Sequence, residues 1–181
     1  MQVTATSLPE VLMIEPTVIG DERGFFLESF NRKLFAEKTG LTVDFVQYNH
    51  SRSVKGVLRG LHYQIQHPQG KLVRVVCGSV FDVVVDIRKS SANFGRWVGL
   101  ELSEENLRQL WVPPGFAHGF LVTSESADFL YMTTDYWYPA HERCIRWNDP
   151  TIAIEWPLHS EPGLSQQDAQ GKNFADVEVF V

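Results

Sequence analysis

Short strand-forming segments recur along the chain, and this pattern limits the fold more than any other feature of the sequence. The stretch KLVRVVCGSVFDVVVDIR has two β-branched runs around Gly78 and Ser79, which predicts two strands joined by a turn. Comparable segments are EVLMIEPTVI, FVQYNHSRS, WVGLELS, QLWVPPG, GFLVTS, DFLYMTTDYW, CIRWND and TIAIEWP. Many short strands separated by turn residues predict an all-β sandwich or barrel.

Helical signals are few and short. The best is NRKLFAEKTG, in which the side chain of Asn31 can cap the start and Gly40 suits the left-handed position after the end. The segment SEENLRQL predicts at most one helical turn within a loop. We therefore expect an all-β core with a few short peripheral helices.

Length and composition favour one domain over residues 1–181. The chain has 181 residues, of which 44% are hydrophobic, enough to bury one substantial core. We expect the C-terminal tail, from about residue 157, to pack on the barrel.

The net charge is −6 and no run of Lys or Arg is present, which argues against a nucleic-acid partner. This charge is still compatible with binding of a small anionic ligand, because a few arginines in a pocket suffice to bind it.

The N-terminal segment and the cysteines bear on location. The first residues have no basic start and are interrupted by Pro9 and Pro16, unlike a signal peptide. No apolar run reaches the ~18 residues of a membrane span. Cys77 and Cys144 lack CxxC spacing, so both are expected to be reduced thiols. These features predict a cytoplasmic protein with no membrane partner.

The stretch VLRGLHYQ places a charged side chain and an imidazole in an apolar strand. Strict alternation would put Arg59 and His62 on opposite faces of a sheet. If both line one pocket, a bulge must intervene, and Gly60 is the residue at which we expect it. Two interpretations of His62 stay open on these residues alone: a proton-transferring base, or a core histidine bonded to a carbonyl group.

A second motif lies in WVPPGFAHGF, where Pro113, Gly115 and His118 form P-x-G-x-x-H. It resembles the second signature of the cupin superfamily, a jelly-roll barrel. The first cupin signature supplies H-x-H and then Glu to a metal, but here Gln64 follows His62 at the second position and no Glu precedes Gly70. Two histidines alone do not make a transition-metal site of three or four ligands. We therefore expect no metal, although a metal-dependent cupin oxygenase and a non-catalytic sugar-binding cupin remain as alternatives.

Ten ordered segments resemble the dTDP-4-dehydrorhamnose 3,5-epimerase family over roughly residues 8–172. They are GDERGFFLESFN, FVQYNHSRS, VLRGLHYQ, QGKLVRV, GSVFDVVVDIR, FGRWVG, QLWVPPGFAHGF, FLYMTTDYWYP, WNDPTIAIEWP and LSQQDAQGK. The resemblance implies a cupin-like jelly roll, and a homodimer whose N-terminal strands pair across the subunits. It also implies epimerisation at C3 and C5 of dTDP-4-dehydro-6-deoxy-D-glucose to dTDP-4-dehydro-L-rhamnose, with no cofactor.

The same resemblance implies catalytic roles. His62 matches the base, Asp168 its paired carboxylate, Tyr131 the acid that returns a proton from the far face, and Lys71 the group that steadies the enolate oxygen. From the residues alone, Asp168 would be a surface loop residue. Lys71 is either a solvated lysine at the start of a strand or a lysine turned into a dry cavity, where it would stabilise developing negative charge.

The resemblance also implies substrate-binding residues. Arg23 and Arg59 match contacts to the diphosphate, for which a guanidinium fork is suited. The remaining matches, to polar contacts with the nucleotide or sugar, are Glu28, Gln47, Asn49, Lys71, His118 and Glu142. Local alternatives stay open: Glu142 as a solvated loop charge, and Arg23 paired with Asp21 or Glu22.

The chain departs from the family pattern at Gln167, because relatives often carry Lys immediately before the tail Asp. This departure weakens a nucleotide contact and leaves the chemistry intact. An epimerase acting at C3 only or C5 only is a further alternative, since small shifts of the sugar decide which carbon reaches the base.

Overall fold

The computed structural model describes residues 1–181. The thirteen strands are β1 (Gln2–Ala5), β2 (Leu12–Glu15), β3 (Val18–Asp21), β4 (Gly24–Leu27), β5 (Gln47–Val54), β6 (Leu58–Gln64), β7 (Lys71–Cys77), β8 (Ser79–Asp86), β9 (Trp97–Ser103), β10 (Gln109–Val112), β11 (Phe116–Val122), β12 (Ser126–Thr133) and β13 (Glu142–Cys144). The α-helices are α1 (Arg32–Thr39) and α2 (Gln166–Ala169), and short 3₁₀ turns occupy Pro139–His141 and Phe174–Asp176.

Two antiparallel sheets carry the fold. Sheet I has six strands in the order β1-β2-β10-β7-β12-β5, and sheet II has five in the order β13-β6-β11-β8-β9. The largest cluster of buried side chains lies between them, with Val73 and Phe129 from sheet I against Val84 and Phe120 from sheet II. Facing sheets whose neighbouring strands are mostly distant in the chain form a jelly roll, which confirms the predicted all-β class.

The outer faces of both sheets are partly covered. Phe35 of α1 packs on Trp111 and Leu72 of sheet I. Asn31 caps α1 by accepting a hydrogen bond from the Leu34 N–H at 3.1 Å, and Gly40 ends it at φ +72°, as the sequence predicts. On sheet II, the cover comes from the segment after β13.

The C-terminal segment packs on the outer face of sheet II. Ile152 and Phe174 join Leu61, Tyr63 and Val85 in one buried cluster. The stretch TIAIEWP forms no strand, so that prediction was wrong: the backbone turns after Asp149, whose carboxylate accepts hydrogen bonds from the next residues. Its apolar side chains pack on sheet II, but its backbone does not pair with a strand of that sheet.

The hairpin β3–β4 pairs with neither sheet. Four of its large apolar side chains are exposed: Val18 by 43%, Ile19 by 65%, Phe25 by 61% and Phe26 by 68%. No helix of the chain has the length and apolar character needed to cross a membrane.

Candidate active site

A cavity of about 560 Å³ opens between the two sheets. Six of the eleven residues that the sequence predicted for the site line it: Arg59, His62, Lys71, His118, Tyr131 and Asp168. Sheet II supplies the two histidines and the arginine, sheet I the lysine and the tyrosine, and α2 the aspartate. The cavity wall therefore combines titratable groups from three separate parts of the fold.

A β-bulge at Gly60 places Arg59 and His62 in the same cavity. His118 of β11 pairs with His62 of β6, whereas Phe120 pairs with Arg59, so β6 has one extra residue over that interval. Gly60 adopts φ +123°, and a Cβ built there would lie 2.6 Å from the Cα of Gly119. Only glycine fits this conformation and this close approach. The predicted bulge is confirmed.

His62 and Asp168 form a close pair. Nε2 of His62 lies 2.7 Å from Oδ1 of Asp168, yet the angle at this contact is outside that of a hydrogen bond, so Nε2 has no aligned partner. Such contacts between catalytic groups often align only when substrate is bound. The other ring nitrogen, Nδ1, makes no hydrogen bond within the protein, which leaves it free to accept a proton from a molecule in the cavity.

The start of α2 fixes the carboxylate of Asp168. Ser165 caps the helix by accepting from the Asp168 N–H at 3.1 Å, and its hydroxyl donates to Oδ2 at 2.6 Å. The Gly60 N–H donates to Oδ1 at 3.0 Å. Burial raises the pKa of Asp168, but His62, Ser165 and the Gly60 N–H outweigh burial, and the pKa lies below its usual value. Asp168 is therefore an anion held beside the imidazole.

Lys71 and Tyr131 face this pair from sheet I. Burial lowers the pKa of Lys71 to about 8, against the opposing effect of the carboxylates of Glu142 and Asp82. Burial also raises the pKa of Tyr131, with a further increase from Glu142 and a decrease from Arg59. Burial and Glu142 therefore outweigh the positive charge of Arg59 in setting the pKa of the phenol. Tyr131 is consequently a protonated hydrogen donor at neutral pH.

His118 belongs to a second pair, which the sequence analysis missed. Its Nε2 lies 2.9 Å from both carboxylate oxygens of Asp82, and both residues are buried. Burial raises the pKa of Asp82, while His118 and Lys71 oppose the increase. A signal was present in the sequence, since Asp82 interrupts the apolar strand SVFDVVVDIR and a buried carboxylate needs a partner.

Gln47, Asn49 and Glu142 lie next to the cavity without lining it. The Gln47 amide donates to Oδ1 of Asn49 at 3.0 Å and accepts from the Trp137 N–H at 3.1 Å. Asn49 pairs with Tyr131 across β5 and β12. Glu142 lines an adjoining groove of about 780 Å³, which also contains Gln167. Gln167 lines the cavity as well, so it lies where the two spaces meet.

Arg23 and Glu28 do not line the cavity of their own chain. Both are exposed, and Arg23 lies on the turn of the β3–β4 hairpin, where its guanidinium pairs with Asp21. The local alternative of an Arg23–Asp21 pair is therefore the arrangement in the isolated chain.

The residues at the cupin metal position do not form a ligand set. The amide of Gln64 donates to the carbonyls of His67 and Tyr136, at 2.7 and 3.1 Å, and accepts from the Tyr138 N–H at 2.6 Å. Gln64 is thus fully engaged with the backbone, and the ring of His118 is engaged with Asp82. A different group of possible ligands does converge: His62, Cys144 and Asp168.

Comparisons with known proteins agree over nearly the whole chain. The family model for dTDP-4-dehydrorhamnose 3,5-epimerase matches residues 5–176. The dTDP-4-dehydrorhamnose 3,5-epimerase of Pseudomonas aeruginosa is 60% identical over 180 residues, covering 99% of each chain. The crystal structure of the Legionella pneumophila dTDP-6-deoxy-D-glucose-3,5-epimerase RmlC with dTDP-4-keto-L-rhamnose has a TM-score of 0.96 at 54% identity, covering 98% of this chain and 94% of that one.

A solved structure of different specificity shares the fold. ChmJ, a 3'-monoepimerase from Streptomyces bikiniensis in complex with dTDP-quinovose, has a TM-score of 0.90 at 32% identity, covering 97% of this chain and 88% of that one. The fold alone therefore does not fix how many centres are epimerised. The family match over residues 5–176, the 60% identity and the common fold together show that this chain belongs to the dTDP-4-dehydrorhamnose 3,5-epimerase family.

Proposed function

We propose that the protein epimerises C3 and C5 of dTDP-4-dehydro-6-deoxy-D-glucose, giving dTDP-4-dehydro-L-rhamnose. The observation that carries this proposal is the placement of His62 and Tyr131 on opposite sheets of one cavity. A sugar ring held between the sheets has a base at one face and a hydrogen donor at the other. Inversion of a carbon centre by proton removal and return requires that arrangement.

The first step is proton removal next to the ketone. The C4 carbonyl acidifies the hydrogens at C3 and C5, and Nδ1 of His62 accepts one of them. Asp168, 2.7 Å from Nε2, supplies negative charge beside the imidazolium that forms. Lys71 donates to the oxygen at C4, where the negative charge of the enolate collects.

The second step returns a proton to the opposite face from the phenol of Tyr131. One C–H bond breaks and one forms at each carbon, and no electrons are gained or lost. Proton exchange with water restores His62 to its neutral form and Tyr131 to its protonated form before the next centre reacts. The raised pKa of Tyr131 favours its recovery of a proton.

Arg59 suits the diphosphate at the cavity mouth. It is exposed, lines the cavity, and its Nε donates to the hydroxyl of Ser53 at 3.0 Å, which holds the guanidinium in place. Its remaining N–H groups are available for phosphate oxygens. Gln47, Asn49, His118 and Glu142 are proposed to contact the sugar or nucleotide from the surrounding walls.

A homodimer accounts for Arg23 and Glu28. Both lie on or just after a hairpin whose Ile19, Phe25 and Phe26 are exposed, an arrangement that suits burial against a second copy of the chain. We propose that the hairpin crosses to the partner and brings Arg23 to the diphosphate there. Light scattering during gel filtration should give twice the chain mass, and Phe25→Asp with Phe26→Asp should reduce it to one chain mass.

The second candidate function is epimerisation at one centre only, which the similarity to the 3'-monoepimerase favours. The test is to incubate the protein with dTDP-4-dehydro-6-deoxy-D-glucose and determine the product configuration by NMR. Inversion at both carbons supports the proposed function, inversion at one carbon selects the alternative, and unreacted substrate contradicts both.

A further inference from the structure

Three side chains with metal-binding atoms meet at the edge of the cavity. They come from three separate elements: His62 from β6, Cys144 from β13 and Asp168 from α2. His62 and Cys144 pair directly across the two strands, and the possible ligand atoms of all three residues lie within 4.8 Å of one another. Cys144 has no role in the proposed epimerisation.

The atom types and spacing suit zinc. Zn²⁺ binds imidazole nitrogen, thiolate sulfur and carboxylate oxygen at about 2.0–2.3 Å, so two ligand atoms around one tetrahedral ion lie ~3.3–3.8 Å apart. Nε2 of His62 and Oδ1 of Asp168 are 2.7 Å apart, and the ligand atoms of all three residues lie within 4.8 Å of one another. Small side-chain rotations bring these distances into the range for zinc. Nε2 is buried and has no aligned hydrogen-bond partner, which leaves it available to a cation.

We propose that Zn²⁺ binds between His62, Cys144 and Asp168 and inhibits the enzyme. Three protein ligands leave the fourth position of the ion to water. Binding releases the thiol proton of Cys144 to solvent, because a coordinating thiol is deprotonated. A neutral imidazole that coordinates the ion through Nε2 carries its one proton on Nδ1. Nδ1 is the atom proposed to accept the proton of the sugar, so the ring no longer acts as the base.

This site differs from the cupin metal position. It uses neither Gln64 nor His118, whose polar atoms are engaged with the backbone and with Asp82. The expected ion is an inhibitor, and activity does not depend on it. The inhibitory effect rests on the proposed function, whereas the binding of the ion does not.

The test uses Co²⁺ as a spectroscopic probe and Zn²⁺ as the inhibitor, each added to the metal-free protein. One Co²⁺ per chain should bind, with a thiolate-to-cobalt absorption band. Cys144→Ser should remove the band and weaken Zn²⁺ binding by more than ~100-fold, because even groups that only hydrogen-bond to a metal ligand contribute about 10–100-fold. Cys77→Ser is the matched control, since Cys77 is the other free thiol and lies outside the cluster.

Turnover gives the second readout. Stoichiometric Zn²⁺ should reduce the wild-type rate more than ~10-fold, while Cys144→Ser should keep its metal-free rate and resist the ion. Absence of binding, or binding that Cys144→Ser leaves unchanged, overturns the site. Thiolate-dependent binding without loss of turnover overturns the inhibition. If the metal-free protein is inactive while the cobalt band appears, the proposed function fails and the metal site stands.

Discussion

Nε2 of His62 lies 2.7 Å from Oδ1 of Asp168, a contact that joins β6 of sheet II to α2 in the C-terminal tail. Three further contacts hold this geometry: the Ser165 hydroxyl, the Gly60 N–H and the N-cap of α2. The carboxylate is 2% exposed and its position is fixed on two sides. The carboxylate that partners the base is therefore positioned before substrate binds.

Replacing His62 or Asp168 should remove turnover while leaving nucleotide binding almost unchanged. His62→Asn removes the base and Asp168→Asn removes the charge beside it, and general base catalysis contributes about 10²–10⁴-fold to the rate. The measurements are kcat by NMR and the dissociation constant of dTDP by calorimetry. His67→Asn is the matched control, because His67 is an exposed histidine on the turn after β6. A His62→Asn variant with wild-type kcat would contradict the assignment of the base.

Tyr131→Phe should slow at least one of the two epimerisations. The substitution removes only the hydroxyl that returns the proton, and the partly buried ring keeps its packing against Phe129. Product configuration and rate at each carbon are followed by NMR. Tyr48→Phe is the control, since Tyr48 lies on the neighbouring strand β5 with its side chain exposed. Equal rates at both carbons in Tyr131→Phe and wild type would rule out the acid role.

Lys71 should give the reaction an alkaline limit near pH 8. The pKa of Lys71 is lowered to about 8 by burial, so the ammonium that steadies the enolate is lost as pH rises through that value. The variant Lys71→Met should have a much lower kcat at pH 7, and its residual rate should show no fall near pH 8. A pH–rate profile of both proteins checks this, and an identical alkaline limit in the variant would assign it to another group.

The same residue should reduce stability at neutral pH. Because the folded pKa of Lys71 lies below the unfolded value of 10.5, the unfolded chain binds more protons between about pH 8 and 10.5. The contribution of Lys71 to the free energy of unfolding is therefore least favourable below pH 8 and rises with pH across that window. Lys71→Met should raise Tm at pH 7, and the difference from wild type should shrink as pH approaches 10. A lower Tm in the variant at pH 7 would contradict this account of burial.

Gly60→Ala should destabilise the fold and displace the site. A Cβ at Gly60 would lie 2.6 Å from the backbone of Gly119, in a backbone conformation that side chains rarely adopt. Strain and overpacking together predict a loss of about 3 kcal/mol in the free energy of unfolding, measured by denaturant titration. Gly20→Ala is the control, because its Cβ meets only an ordinary contact at 3.6 Å. Equal stability of both variants would show that β6 relaxes around the added methyl group.

Local features of the fold were predictable, because they depend on neighbouring residues. The cap at Asn31, the end of α1 at Gly40 and the bulge at Gly60 each follow from one residue and its strand or helix context. The stretch TIAIEWP has the same apolar alternation as a strand but forms none. Its side chains meet the outer face of sheet II, and that tertiary contact is invisible in the local pattern.

The candidate site was predictable only in part, because its contacts join distant parts of the chain. The resemblance to the family supplied His62, Tyr131 and Lys71, and the cavity brings them together. The pair of His118 with Asp82 was missed: Asp82 signals a buried carboxylate that needs a partner, but the local sequence does not identify His118, on another strand, as that partner. Arg23 was predicted as a phosphate contact, but within one chain it pairs with Asp21.

The measurement that tests the central claim most directly is deuterium incorporation from D₂O. The protein is incubated with dTDP-4-dehydro-6-deoxy-D-glucose, and the label is located by NMR and mass spectrometry. A cavity with the base on one sheet and the acid on the other predicts deuterium at both C3 and C5 with inverted configuration, and none with His62→Asn. Absence of label at both carbons with the wild-type protein would contradict proton transfer by the His62–Asp168 pair.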